Sequence, residues 1–208
     1  MAPQRVVALL ERGRGWGCCW PADRPLLLAE CVPGGTTTAL AVLQGLGIAA
    51  DGLVSGSLRE PAHGLKARLV AQGLKAAGLQ LPADPLAVLA AVGDPMQALA
   101  AGLLLELAHR GVPVLLAGGS QMAAVLGLAL ALAEPAQRPT LASTAVVATT
   151  AWVAEEPGSD LAQLLRLIGQ RWRVQPQLLA AGLHFHGCRS TALLDYERGY
   201  VKEGVGAG

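Results

Sequence analysis

An uncharged stretch is the feature that most limits what this chain can fold into. The segment from Gly111 to Ala133 carries no charged residue, and it is longer than the roughly 20 residues that a helix needs to cross a bilayer. However, Pro113 and the sequence Gly118-Gly119-Ser120-Gln121 divide it into two short apolar pieces. A strand, a tight turn and a helix account for this division better than one spanning helix does. We therefore predict no membrane span, with an integral membrane protein as a remaining alternative.

The same order of apolar run, turn and helical segment recurs along the chain. We predict strands over residues 26–29, 113–117, 144–150 and 178–185, and helices over residues 36–46, 61–77, 96–110, 120–133, 159–168 and 192–197. Residues 85–92 fit either a helix or a strand. Strands that alternate with helices are typical of an α/β fold, with a mainly parallel sheet and helices on both faces. No linker or repeat divides the chain, so we expect a single domain over residues 1–208.

Composition and charge argue against some kinds of partner and indicate the compartment in which the chain occurs. The chain is 52% hydrophobic but only 3% aromatic, and its formal net charge is +1. Basic residues are spread along the chain and do not alternate with aromatic ones, so nothing indicates binding to nucleic acid. Adjacent Cys18 and Cys19 are a poor start for a disulfide scaffold, and the first residues lack a signal-peptide core. We expect a cytoplasmic protein.

Two glycine-rich turns follow predicted strands and open helices. Glycines let a backbone approach a ligand, and the free amides of a first helical turn attract anions. The turn around Gly34, Gly35, Thr36 and Thr37 fits either an anion site or a plain threonine-capped turn. The turn at residues 118–121 equally fits ligand contact or close packing of a helix on the sheet.

Other polar residues give weaker indications. Glu203 lies among glycines beside Lys202, where a carboxylate is either solvated or, if the loop covers a pocket, a general base. Glu155 and Glu156 are similarly ambiguous. Alternation along the predicted strand puts His184 and His186 on one face, near Cys188. No further ligand has a recognisable spacing, so we predict no metal site.

Four ordered segments resemble one family, the nicotinate-nucleotide–dimethylbenzimidazole phosphoribosyltransferases, and most closely its cyanobacterial and archaeal branch. The segments are ECVPGGTTTAL (30–40), VGDPMQ (92–97), LAGGSQM (116–122) and VKEGVGAG (201–208). The resemblance spans almost the whole chain and implies a Rossmann-like fold with a small helical domain, in a homodimer. It also implies a reaction that needs no cofactor. The phosphoribosyl group of nicotinate mononucleotide moves to a benzimidazole-type base during assembly of the lower ligand of cobalamin, and nicotinate is released.

The resemblance also assigns roles to residues. Glu203 matches the family's glutamate in its glycine-rich loop and is the expected general base. Glu30 matches a second pocket glutamate, which holds ribose hydroxyls or stabilises the developing cation. The remaining matches are expected to bind substrate or phosphate: Gly34, Gly35, Thr36, Thr37, Lys66, Gly118, Gly119, Gly204 and Gly206.

The chain departs from the family pattern in two ways. Ala151 and Val153 stand where a basic or hydroxyl residue is expected near the phosphate. Family members are also longer at both ends, and their upstream part carries much of the pocket for the base. We therefore expect a fragment of a longer family domain. An inactive homologue, which binds a nucleotide or has lost the site, is the alternative to an active transferase.

Overall fold

The computed structural model describes residues 1–55 and 62–197. Its helices and strands follow in the order α1 (Pro3–Cys19), β1 (Leu26–Ala29), α2 (Gly35–Gly45), α3 (His63–Ala76), α4 (Pro85–Val92), α5 (Pro95–His109), β2 (Val114–Ala117), α6 (Ser120–Leu132), a 3-10 turn (Pro135–Gln137), α7 (Arg138–Thr144), β3 (Ala145–Thr150), α8 (Ala151–Ala154), α9 (Leu161–Trp172), β4 (Gln177–Ala181) and α10 (Thr191–Glu197). This confirms the predicted α/β alternation.

The four strands form one parallel sheet in the order β1-β2-β3-β4. Leu28 pairs with Leu116, which pairs with Val147, so the strands run in register across the sheet. All four carboxyl ends consequently lie at one edge. In parallel α/β sheets this edge is where ligands bind.

The two faces of the sheet are buried to different extents. Leu116 and Val147 lie on one face of the sheet and are fully buried. Strands that pair in sequence order and are joined by right-handed crossovers have the connecting helices on a single face. On the other face Leu27 and Leu179 are 60% and 58% exposed. The helices therefore cover the first face more completely.

Helix α6 is the centre of the core. Every residue from Ser120 to Leu130 is buried, which explains why this segment carries no charge. The helix packs on α2, α5 and α9. Among residues 1–55 and 62–197, no helix has both the length and the hydropathy that a bilayer crossing requires.

Several elements were left open by the sequence analysis, were not predicted, or differ from prediction. Residues 85–92 form a helix, whose start is capped by the Asp84 carboxylate accepting from the Ala87 amide at 2.9 Å. Helices α1, α7 and α8 were not predicted. Strand β4 ends at Ala181, so the prediction that His184 and His186 share one face of a strand was wrong, and both lie in the loop after it.

Candidate functional site

The carboxyl edge of the sheet collects the predicted motifs. Ala29, Ala117 and Ala148 are neighbours across β1, β2 and β3, so the residues that follow them emerge side by side. Gly118 is fixed there because its amide donates to the Ala148 carbonyl at 2.8 Å. Glu30 and both glycine turns thus leave the sheet at one edge.

A buried hydrogen-bond network joins three of the four motif segments. Oδ2 of Asp94 accepts from the Thr38 hydroxyl at 2.6 Å and from Nε2 of Gln121 at 2.8 Å. Oε1 of Gln121 accepts from Nε2 of Gln97 at 2.7 Å. Asp94 and Gln97 also form a reciprocal capping box at the start of α5. Because every member is bonded to another, the network holds the starts of α2, α5 and α6 together.

The first glycine turn lies directly on this network. A Cβ atom added to Gly35 would lie 2.9 Å from Nε2 of Gln121, so a side chain there would displace the amide from Asp94. Gly34 has a left-handed backbone, with φ of 73°, which favours glycine. The Gly35 and Thr37 amides donate within the turn, to the Val32 and Gly34 carbonyls at 2.9 Å each. An anion bound at this turn would therefore rely mainly on the helix dipole and on threonine hydroxyls.

Glu30 lies beside the network with its carboxylate partly buried. The Val32 amide donates to Oε2 of Glu30 at 2.8 Å. Burial raises the pKa of Glu30 above its ordinary value, and the nearby negative charge of Asp94 raises it further, although the Val32 amide opposes both. Ionisation of Glu30 therefore costs free energy in the folded chain.

This cost predicts a pH-dependent gain in stability for Glu30→Gln. Glutamine keeps an oxygen that accepts from the Val32 amide but carries no charge. Because the pKa is raised in the folded state, ionisation of Glu30 destabilises the fold once the pH exceeds that raised pKa. The variant should therefore have a higher free energy of unfolding than the unsubstituted chain at pH 7, and the difference should vanish below the ordinary pKa of 4.5. Urea denaturation at several pH values measures it, and a gain that does not depend on pH would contradict it.

Lys66 approaches the second glycine turn through Ser55. Its side chain is buried at 7% exposure, and its ammonium group donates to the Ser55 carbonyl. The Ser55 amide in turn donates to Oγ of Ser120 at 3.0 Å. Gly119 precedes Ser120 as the N-cap of α6. The structure thus brings a buried cation to the turn that follows β2.

Two hydroxyls at the end of β3 were missed by the sequence analysis. Oγ1 of Thr149 and Oγ1 of Thr150 are buried and make no hydrogen bond within the described ranges. Buried hydroxyls are normally bonded, so a pair without partners calls for an explanation. They lie just before Ala151, where a hydroxyl or basic residue was expected, and the β-branched run that predicted the strand also contained them.

Two groups of predicted residues are not part of the network that the structure describes. Glu203, Gly204 and Gly206 lie outside the described residues. Oε2 of Glu156 accepts from the Ser159 hydroxyl at 2.9 Å, and Oε1 of Glu155 lies 3.9 Å from Nε2 of His184. Both glutamates follow β3, as the sequence predicted, but these contacts tie Glu156 to the segment before α9 and Glu155 to the loop after β4.

Comparison with known proteins identifies the family. The model of the phosphoribosyltransferase family matches residues 21–155, more than half of the chain. A UPF0284 protein of Parasynechococcus marenigrum is 53% identical over all of this chain and 53% of its own length. A UPF0284 protein of Gloeobacter violaceus is 50% identical over all of this chain and 54% of its own length. The chain therefore spans about half the length of these curated relatives.

Two solved structures also match the chain over its whole length. A nicotinate-nucleotide–dimethylbenzimidazole phosphoribosyltransferase from Thermus thermophilus matches all of this chain and 52% of its own, with a TM-score of 0.60 and 26% identity. A structure of CobT from the same organism gives a TM-score of 0.61, again at 26% identity, over 54% of its length. The chain belongs to the nicotinate-nucleotide–dimethylbenzimidazole phosphoribosyltransferase family, as the four motifs predicted.

Proposed function

We propose that this chain carries the phosphoribosyl-binding part of a transferase that acts on nicotinate mononucleotide. The transferase moves the phosphoribosyl group to a benzimidazole-type base and releases nicotinate, in assembly of the lower ligand of cobalamin. The proposal also includes a homodimer in the cytoplasm, without nucleic acid or membrane as a partner. The named activity of the Thermus thermophilus structure supports the choice of reaction.

The observation that carries the proposal is the network around Asp94. Its bonds to Thr38 and Gln121 cross 56 and 27 residues of chain. A fold has little reason to bury a carboxylate between two glycine turns unless their positions matter. Here they hold both turns at the carboxyl edge of the sheet, where a mononucleotide can contact both.

Several groups near the two glycine turns are suited to bind the 5′-phosphate. Lys66 supplies a positive charge close to the second glycine turn. Thr36 and Thr37 offer hydroxyls at the start of α2, whose dipole favours an anion. Thr149 and Thr150 add two hydroxyls that lack partners in the described chain. Because consecutive residues of a strand point to opposite faces, one of the two would take the place of the groups that Ala151 and Val153 do not provide.

The chemistry then needs two carboxylates. The bond between the anomeric carbon and the nicotinate nitrogen breaks, and its electron pair leaves with nicotinate. One benzimidazole nitrogen forms the new bond to that carbon while the other ring nitrogen loses its proton. Glu30 is suited to stabilise the positive charge that develops on the sugar. Glu203, which lies outside the described residues, is assigned as the base that takes the proton.

Binding of nicotinate mononucleotide tests the proposal. Lys66→Ala should weaken binding by about 1.5–3 kcal/mol, since a charged hydrogen bond to the phosphate would be lost. Titration calorimetry of both proteins measures the difference. Release of nicotinate after a benzimidazole is added would complete the test, whereas binding without release would favour the inactive homologue.

Lys75→Ala is the matched control because Lys75 lies on the same helix and is exposed. Its affinity for the mononucleotide should equal that of the unsubstituted chain. Circular dichroism spectra must show that Lys66→Ala is folded, since Lys66 also bonds to Ser55. Equal affinities for a folded Lys66→Ala and the unsubstituted chain would remove Lys66 from the site.

A further inference from the structure

A cluster of metal-binding side chains lies beside β4, apart from the network around Asp94. Ligand atoms of His184, His186 and Glu197 all lie within 4.8 Å of one another. The histidines belong to the loop after β4, and Glu197 ends α10. We propose that these three residues bind one transition-metal ion of the Zn²⁺ type.

The distances suit such an ion. Oε2 of Glu197 lies 3.3 Å from Nδ1 of His186 and 3.8 Å from Nδ1 of His184. Two ligands that each lie about 2.0–2.1 Å from a tetrahedral Zn²⁺ are separated by roughly 3.3 Å. The pair with His186 already has this separation. The pair with His184 needs to close by about half an ångström to reach it.

The carboxylate of Glu197 is held in position by groups outside the cluster. Nε1 of Trp152 donates to Oε2 at 2.9 Å, and the Phe185 amide donates to Oε1. The Trp152 ring stacks on Phe185 at 5.1 Å and meets His184 edge-on at 5.9 Å. Outer partners of this kind orient metal ligands and preserve their affinity.

The donor types select the class of metal. Two imidazoles and one carboxylate suit Zn²⁺, Co²⁺ or Ni²⁺, whereas Mg²⁺ and Ca²⁺ prefer oxygen ligands. His184 and His186 are 32% and 74% exposed in their side chains, which leaves room for water as a further ligand. Cys188 lies near the two histidines in the sequence and no metal site was predicted there, whereas the cluster in the structure contains Glu197.

An ion at this position would join three elements. It would connect the loop after β4 to the end of α10 and, through Trp152, to α8. Both β3 and β4 end at the edge of the sheet that carries the candidate active site. The proposal does not depend on the transferase reaction, because it uses none of the residues assigned to substrate.

Direct metal titration tests the proposal. The whole chain, with the exposed cysteines Cys18, Cys19 and Cys31 replaced by serine to remove competing thiols, is titrated with ZnCl₂ by calorimetry and with CoCl₂ by visible absorption. We expect one ion per chain and the intense absorption of four-coordinate Co²⁺. His186→Ala and Glu197→Gln should each lower the affinity at least 10-fold, and Trp152→Phe should lower it about 10–100-fold, since an outer partner is lost.

His63→Ala and His109→Ala are the controls, since they remove histidines outside the cluster, and both should leave affinity unchanged. His186 is mostly exposed, so its replacement should not disturb folding. The proposal is overturned if the unsubstituted cluster binds no Zn²⁺ or if His186→Ala binds it equally well. A cluster held only by ion pairs between histidines and Glu197 would give that result.

Discussion

The Glu203→Gln variant is expected to release nicotinate about 10²–10⁴-fold more slowly than the unsubstituted protein, the usual range for loss of a general base. A benzimidazole attacks through one nitrogen while the other sheds a proton, so a carboxylate must reach that proton. Glutamine keeps the shape of the side chain but cannot accept the proton. Affinity for nicotinate mononucleotide should change little, because the lost contact is with the incoming base.

The activity assay requires a protein of the relatives' full length, of which this chain spans about half. We would replace the matching segment of the Gloeobacter violaceus relative with this chain, once unsubstituted and once carrying Glu203→Gln. Nicotinate release is then assayed with saturating benzimidazole. Glu11→Gln, on the exposed side of α1, makes the same chemical change far from the sheet edge and should have no effect. Near-normal turnover in Glu203→Gln would refute the assignment and leave Glu30 as the next candidate base.

The strands and their turns were predictable because they follow from local chemistry. The uncharged segment that was read as strand, turn and helix became β2 and α6, with ends within one residue of prediction. Burial on every side requires apolar residues throughout, and a turn between two buried elements requires glycine. Both requirements act on neighbouring residues, so the sequence displays them directly.

The contacts that build the sites were not predictable in the same way. Asp94 lies in the segment VGDPMQ, whose local pattern does not indicate a buried carboxylate, and its partners Thr38 and Gln121 are distant in sequence. Glu197 ends a short predicted helix, and nothing in its surroundings indicates that it meets His184 and His186. Such contacts depend on how whole helices and strands pack together, and the local periodicity of the sequence does not reveal that packing. Family resemblance marked Asp94's segment as important without giving a reason.

Helix α1 was missed because Gly13, Gly15 and Gly17 are poor helix formers. Its packing explains two of them. A Cβ atom at Gly13 would lie 2.1 Å from the Leu99 carbonyl oxygen, and at Gly17 it would lie 2.8 Å from the Glu106 side chain. The glycines lower the intrinsic helix propensity of α1 but let it approach α5 closely. Packing against α5, rather than propensity, therefore stabilises the helix.

Gly102→Ala is accordingly expected to lower the free energy of unfolding by about 2–4 kcal/mol. The added methyl group would lie 2.1 Å from the carbonyl oxygen of Leu10. That atom belongs to the backbone of α1, so only a shift of one whole helix can relieve the overlap. Because α5 begins at the capping box of Asp94 and Gln97, such a shift should also weaken binding of nicotinate mononucleotide.

Gly15→Ala is the matched control for this prediction. Gly15 lies on α1, is exposed, and has open space where a Cβ atom would be. Alanine favours a helix over glycine, so this variant should be more stable by about 0.5–1 kcal/mol. Urea denaturation of both variants measures the two effects, which should have opposite signs. If Gly102→Ala were as stable as Gly15→Ala, helix propensity would outweigh packing, and α1 and α5 could not cross as closely as the structure has them.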